Sequence, residues 1–528
     1  MPHSRRPRPW LYGVLPFAAL LMTGATPAAP SPKLVVLITV DQMRYDYLER
    51  YASQYQGGLA RLLKGGANYT DAFQDHANAE TAPGHATIGS GREPYSTGIV
   101  LNAIGVPDSR SPLIGGGGPG ASPFRFRGTT LFDWMKAKDG RSRALSVSRK
   151  DRGAILPIGK AKESVYWYAA DGRFTTSTYY ADTLPAWVLN FNALRYPQRY
   201  AGKVWEPLLP VADYPEPDTV AIEDLGREPA FPHKLSADST QAARDLIAFP
   251  WMDDLTVQFA LAGVEALKLG KGSAPDLLAV SLSSTDAVGH RFGMGSREIH
   301  DQMLHVDRAI GTLLDSLYKI RDSSTIVVAL TADHGVTLAP ELAAQKDEGH
   351  MPLRADLSGV SAEFVSRLVA KHVDSSAFDF EDAMLFLDRK AIEKAHLSPD
   401  SIARDFAALA KTQPGVARAD LFSSILTADT TRDPIARRWR HSVPPDYPIA
   451  VVVTLAPGSV WGEYATGIHG SPSDDDTHVP LVFYGAGVTP GKHQEFSRVV
   501  DLAPTLASML GVRPLETIDG HVLKDATR

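Results

Sequence analysis

Thr81 stands in the segment Asn78-Ala79-Glu80-Thr81-Ala82-Pro83-Gly84-His85, ahead of a small-residue run from Ala86 to Gly91. A threonine just before a proline and a Gly/Ala run can act as the N-cap of a helix, its hydroxyl beside free backbone amides and the positive end of the helix dipole. Such a position suits an anion and makes Thr81 the candidate nucleophile. Taken alone, the pattern is more often an ordinary capped helix. Its meaning depends on what else the chain supplies. Asp286 and His290 are four residues apart, so one helical turn can bring both to a single ion. Asp333 and His334 are adjacent and followed by Gly335, where a tight loop can turn both side chains toward one site. Asp41 closes an apolar run. Late in the chain, His469-Gly470-Ser471-Pro472 and Asp476-Thr477-His478-Val479-Pro480 precede Leu481-Val482-Phe483, and either histidine can complete a metal shell. The chain has no cysteine, so thiolate sites and disulfides are excluded. Mixed Asp/His ligation favours zinc or a similar ion over magnesium or calcium, which prefer oxygen ligands.

The elements that must position these groups follow from hydrophobic patterning. Leu34 to Val40 is a continuous apolar, β-branched run of the kind expected for a strand buried on both faces. It leads to Asp41, as Leu277 to Leu282 leads to Asp286 and Thr325 to Leu330 leads to Asp333. Amphipathic patterns alternate with these runs: Met252 to Leu269, then Ile299, Met303, Val306, Ile310, Leu313 and Leu317 at helical spacing, with Ser296 as candidate cap. The expected fold class is therefore α/β, a central mostly parallel sheet flanked by helices. In such sheets ligands bind beyond the carboxyl ends of the strands, so the aspartates gather at one edge. Gly115 to Gly118 lacks the Gly-Lys-Ser/Thr ending of a phosphate-cradling loop. Two inserted smaller lobes are expected, an aromatic-rich one at about 161–235 and another at about 336–445. The aromatics of the first are read as packing.

A net charge of −6 with scattered Lys and Arg leaves no electrostatic footprint for nucleic acid. Arg5, Arg6 and Arg8, the apolar run Trp10 to Met22 and the small residues Gly24 to Ala29 read as an export signal over residues 1–29, leaving a catalytic domain over 30–528. The apolar run is too short for stable membrane insertion. A periplasmic or secreted protein, expected as a monomer, follows.

Val40-Asp41-Gln42-Met43-Arg44, the segment Asn78 to His85, Asn102, Lys150-Asp151-Arg152, Ser284 to His290, Thr331 to Gly335, His469 to Pro472 and Val500 to Leu506 follow one another in this order. With these residues the chain resembles the alkaline phosphatase superfamily, and within it the threonine-nucleophile bacterial alkaline phosphatases of the PafA type. The resemblance spans nearly the whole mature chain. It implies an alkaline-phosphatase-like core and two zinc ions, one held by Asp286, His290 and His469, the other by Asp41, Asp333, His334 and the Thr81 hydroxyl. His469 is preferred because its His-Gly resembles a ligand motif of related nucleotide pyrophosphatases; His478 stays the alternative. The resemblance also implies that Asn102, Lys150 and Arg152 bind the non-bridging oxygens of phosphate monoesters. The spacing from Thr81 to Lys150 is shorter than the resemblance leads one to expect, implying a trimmed segment near the Gly-rich loop.

These residue types suit the chemistry. Coordination to a dication lowers the pKa of a threonine hydroxyl and exposes an alkoxide to a bound phosphorus, giving a phosphothreonine that water then hydrolyses. The expected function is that of an exported zinc-dependent phosphomonoesterase acting on small-molecule phosphate monoesters. Two alternatives stand beside it: a phosphodiesterase or nucleotide pyrophosphatase on the same scaffold, and a non-catalytic exported protein that binds phosphate or metal. A sulfatase is disfavoured, because that branch uses a modified Cys or Ser.

Overall fold

The computed structural model describes residues 1, 3–6, 31–116, 118–343, 352–462 and 465–527. The expected export signal falls almost wholly outside them. Among the described residues no helix is long and apolar enough to cross a membrane.

Nine strands form the main sheet: β1 (Leu34–Val40), β2 (Ala67–Tyr69), β3 (Ala144–Ser148), β4 (Ser164–Tyr168), β5 (Phe174–Thr175), β6 (Asp276–Leu282), β7 (Ile326–Thr331), β8 (Leu481–Gly485) and β9 (Gly491–His493). Their order is β9-β2-β8-β7-β1-β6-β3-β4-β5. The five central strands, β7-β1-β6-β3-β4, are mutually parallel, and antiparallel pairings occur only toward the edges. This is the expected mostly parallel α/β sheet. The central strands can be almost uniformly apolar because helices and loops cover both faces, and every residue of β1, β6 and β7 is buried.

Register does the positioning. Ser148 on β3 is paired with Ser281 on β6, Ser281 with Thr39 on β1, and Thr39 with Thr331 on β7. Two residues beyond that row stand Lys150, Ser283, Asp41 and Asp333. One cation and two carboxylates thus emerge level at the same sheet edge, from strands far apart in sequence.

Helix α1 (Thr81–Ser90) docks at this edge with every residue buried and ends on Gly91 in the left-handed region, φ 65°. Helices α2 (Trp251–Ala266), α3 (Ser284–Phe292) and α4 (Arg297–Ile320) follow the order expected from the apolar periodicity. Ser296 caps α4, accepting from the Ile299 amide at 3.0 Å. The aromatic-rich stretch enters the core at its start, since β4 and β5 close one side of the sheet. Phe174, Trp187 and Phe191 gather around Phe259 of α2, with Phe174 stacked on it at 4.0 Å. Burial of these rings against α2 explains why this segment joins the sheet.

Between β7 and β8 the chain builds a second, four-stranded antiparallel sheet in the order Phe378–Glu381, Met384–Leu387, Ile449–Leu455, Val416–Leu421. It has its own apolar core around Phe364, Phe378, Phe406 and Val451. A further cluster joins this lobe to the main body, packing Met384, Trp439 and Val452 against Ala77, Val100 and Leu101 on either side of α1.

The junction is also ionic. Asp75 receives a bidentate pair from Arg437 and lies 3.3 Å from His441 Nδ1, both on the helix Pro434–Ser442. Glu93 is fully buried beside them, and among the described residues neither of its carboxylate oxygens accepts a hydrogen bond. Burial pushes its pKa up to about 8, with Asp75 and Asp519 adding to the rise while His441 and Arg498 oppose it. A carboxyl whose folded pKa is raised keeps a proton that the unfolded chain loses near pH 4.5, so its contribution to stability declines as pH rises toward 8. The Glu93→Gln variant removes that decline. Its thermal midpoint relative to the parent is expected to rise between pH 5 and pH 9, on the order of the interval between the two pKa values, as scanning calorimetry will read. A difference independent of pH would mean that Glu93 ionises in the folded chain as it does in the unfolded one.

Candidate active site

Thr81 is the first residue of α1 and Glu80, with extended backbone, is its N-cap, so the cap falls one residue earlier than the sequence suggests. Pro83 costs nothing there, because amides of the first turn have no helical acceptor. The Ala82 amide donates instead to Asn102 Oδ1 at 2.9 Å, and the Asn102 amide donates to Glu80 Oε2 at 2.7 Å. Asn102 thereby fixes the start of α1 and retains its side-chain NH2 as a donor. Gly84 permits the close docking. A Cβ at this position would stand 2.1 Å from the Asp333 carbonyl oxygen, so only glycine lets α1 approach the end of β7.

Thr81 is 1% exposed. Its Oγ1 accepts from Lys150 Nζ at 3.1 Å and lies 3.5 Å from His334 Nε2. Lys150 Nζ also stands 2.8 Å from Asp41 Oδ2 and 2.7 Å from Asp286 Oδ2. Around this ammonium the expected ligands form two groups. In one, His290 Nε2 is 3.2 Å from Asp286 Oδ1, and His469 Nε2 is 3.2 Å from His290 Nε2 and 3.6 Å from Asp286 Oδ1. In the other, His334 Nε2 lies 3.5 Å from Asp41 Oδ1 and 3.7 Å from Asp333 Oδ2. The groups touch where the His334 and His469 rings stack at 3.7 Å.

The two late histidines separate clearly. His469 joins the cluster. His478 is stacked between Tyr45 and Phe73, at 4.9 and 4.7 Å, with Nε2 2.9 Å from the Thr70 carbonyl oxygen. Lys150 reaches Thr81 directly, whereas Arg152 makes no hydrogen bond to it. The Arg152 charge instead acts on Glu80, and its buried Nε has no hydrogen-bond acceptor among the described residues.

Residues without an assigned role in the sequence complete the arrangement. His85, one turn beyond Thr81 on α1, places Nδ1 2.9 Å from the Thr81 carbonyl oxygen and 3.1 Å from Asp333 Oδ2, with Nε2 against Ser281 Oγ at 2.9 Å. The i,i+4 spacing was the available signal. Gln42 links the two groups: its backbone amide donates to Asp333 Oδ1 at 3.1 Å and its side chain to Asp286 Oδ1 at 3.2 Å. To do so it adopts φ 65°, unusual for a side chain of this size. Arg149 Nη2 lies 3.6 Å from Asp286.

The electrostatics call for cations. Asp41, Asp286 and Asp333 converge almost free of solvent. Burial and the neighbouring Asp333 raise the pKa of Asp41 despite Lys150. Burial also acts on Asp286, but Lys150 and His290 hold it well below the usual carboxylate range. Burial and the adjacent His469 ring keep His334 well below the usual imidazole range, hence neutral and able to donate a lone pair. Among the described residues, none donates a hydrogen bond of good geometry to either Asp41 oxygen or to Asp333 Oδ2. Three buried carboxylates that share one ammonium, beside the neutral His334 imidazole, fit divalent metal ions. A third set of potential ligands, Asp75, Glu93 and His441, lies away from Thr81 among the junction arginines.

Residues 35–402 match the family model described as type I phosphodiesterase / nucleotide pyrophosphatase. The chain is 31% identical to alkaline phosphatase PafA of Elizabethkingia meningoseptica, over 96% of each chain. It is 32% identical to alkaline phosphatase PhoV of Synechococcus elongatus, over 94% of this chain and 92% of that one. The fold superposes on a crystal structure of wild-type alkaline phosphatase PafA with a TM-score of 0.88 at 28% identity, covering 95% of this chain and all of the other.

An ion bound only by the folded chain stabilises it by mass action, about 4 kcal/mol when the free ion is a thousandfold above its Kd. Chelation is therefore expected to lower the thermal midpoint of the protein, with recovery on adding back a divalent metal ion. Identical midpoints with and without chelator would mean that Lys150 and the imidazoles alone neutralise the three carboxylates.

Proposed function

The chain belongs to the type I phosphodiesterase / nucleotide pyrophosphatase family of the alkaline phosphatase superfamily, and from that premise we propose that it is an exported, zinc-dependent alkaline phosphatase that hydrolyses phosphate monoesters through a phosphothreonine at Thr81. The observation that carries this reading is the 3.1 Å approach of Lys150 Nζ to Thr81 Oγ1 at the head of α1. A positive charge fixed beside a nucleophilic hydroxyl suits the transferred group of a monoester, whose charge is spread over three equatorial oxygens. A diester has one of those oxygens esterified and gains less.

Asp286, His290 and His469 would hold one ion, and Asp41, Asp333, His334 and Thr81 the other. When bound, such ions supply Lewis acidity at the attacking hydroxyl and at the leaving oxygen. The remaining work falls to side chains. Lys150 stabilises the deprotonated Thr81 oxygen and then the phosphoryl oxygens. Asn102 holds the first turn of α1 and offers its amide NH2 to the same oxygens, and Arg152 adds positive charge from beyond Glu80. Thr81 Oγ1 forms the bond to phosphorus as the ester P–O bond breaks, and the departing alcohol takes up a proton. Water then cleaves the phosphothreonine, releasing inorganic phosphate and restoring the hydroxyl. His85 holds the first turn of α1 through the Thr81 carbonyl oxygen, with Asp333 Oδ2 close by at 3.1 Å. Export to the periplasm or medium follows from the N-terminal signal pattern.

The family model favours a second reading, hydrolysis of phosphodiesters on the same scaffold. An aryl phosphate monoester and its matching diester distinguish the two. The purified zinc-loaded protein is expected to prefer the monoester strongly in kcat/KM; a diester preference would overturn the role given to Lys150. The Lys150→Ala variant is expected to lose about 10²–10³-fold on the monoester, the range for removing one transition-state donor, and far less on the diester. Thr81→Ala is expected to abolish turnover while leaving the circular dichroism spectrum unchanged. Full activity in that variant would remove Thr81 from the mechanism.

A further inference from the structure

A cleft of about 510 Å³ opens between the main body and the smaller lobe, with Asn102, His290 and His469 at its inner end. Its outer walls carry Phe380, Trp461, Asp356 and Asp382, and Glu80 lies deeper. Among the described residues that line it there is no lysine or arginine.

The fold holds these groups in place. The short parallel pair Arg354–Ala355 and Val460–Trp461 sets Ala355 opposite Trp461, so Asp356 emerges beside the indole. Asp356 Oδ1 accepts from the Ser358 amide at 2.7 Å, and that hydrogen bond holds its carboxyl below the usual range and therefore charged. Asp382 and Ala383, both at positive φ, turn the hairpin between Phe378–Glu381 and Met384–Leu387. Asn78 Nδ2 donates to the Asp382 carbonyl oxygen at 2.9 Å, tying this turn to the segment that leads into Thr81. Phe380 meets Trp461 edge to face, with ring centroids 5.8 Å apart. Glu80 is 7% exposed and commits one oxygen to the Asn102 amide; the other, Oε1, makes no hydrogen bond among the described residues.

We infer that this cleft is a subsite for the alcohol portion of the substrate, selective for phosphomonoesters whose alcohol bears a quaternary or primary ammonium group. The inference rests on the phosphomonoesterase reading, which places the departing alcohol on the side of His290 and His469. Indole and phenyl faces attract cations through their quadrupoles, and carboxylates at the same wall add Coulombic attraction. A neutral nucleoside or sugar would gain stacking or hydrogen bonds but nothing from the charge. An alcohol bearing further phosphate would be repelled by it.

Choline phosphate and 3,3-dimethylbutyl phosphate isolate the charge, because they share a shape and differ in a cationic nitrogen against a neutral carbon. Their alcohols differ in intrinsic leaving ability, so the decisive quantity is how the ratio of their kcat/KM values changes with substitution. Asp356→Asn keeps the acceptor for the Ser358 amide, and Asp382→Asn suits a left-handed turn, so both variants retain the local backbone. The ratio is expected to fall about tenfold in the double variant, and to fall as salt is raised in the parent. A ratio unchanged within about twofold, with both substrates hydrolysed, overturns the cation subsite and leaves the phosphatase intact. If neither ester is hydrolysed, the phosphomonoesterase reading fails, and titration calorimetry with choline chloride still decides the subsite. Heat of binding that is lost in the double variant supports it, and no heat in the parent overturns it.

Discussion

Three carboxylates that cannot all be charged and buried without cations set the terms for this structure. Asp41, Asp286 and Asp333 meet at the carboxyl edge of the central strands, and one lysine and a few imidazoles stand among them. Unpaired, such a cluster would shed its charge or water would enter. The surrounding architecture keeps it in being: a parallel register that brings β1, β3 and β7 out level, a glycine that lets α1 press against Asp333, and a glutamine in an unfavourable backbone conformation that donates to two of the three carboxylates. Thr81 becomes chemically interesting only through its place in that field.

The smaller lobe completes what the sheet begins. Its apolar contacts and the Asp75–Arg437 pair clamp it to the segments on either side of α1, and its hairpin tip touches the strand-to-helix passage ahead of Thr81. The main body thus carries the groups that suit phosphoryl chemistry, while the lobe forms the outer wall where an alcohol would lie. Catalytic and selective functions on different elements allow one to vary without disturbing the other.

Much of this is legible in the chain. Long β-branched runs that stop at aspartate announce buried parallel strands and a polar edge, and the Asp286/His290 and Asp333/His334 pairs announce donors with few structural duties. Lys150 is harder, because a basic residue after Ser148 is ordinary until register sets it level with Asp41. Between His469 and His478 the sequence offers only the His-Gly resemblance that favours the first; packing shows that Tyr45 and Phe73 enclose the second. The aromatic-rich stretch reads as lying outside the core because prolines crowd it from Pro185 onward, yet its proline-free start forms β4 and β5, whose rings pack on α2. Gln42 stands in a segment that carries the resemblance, but its bridging role does not show there, since a positive φ at glutamine is imposed by tertiary hydrogen bonds and leaves no mark in local sequence.

The most direct test of this account is to capture the covalent intermediate. A phosphomonoester radiolabelled on phosphorus is mixed with the zinc-loaded protein, quenched in acid within a single turnover, and the digest is mapped by mass spectrometry. The account predicts one phosphoryl group, on Thr81. Release of labelled phosphate at full rate with no label on the protein, or label on a different residue, would contradict it.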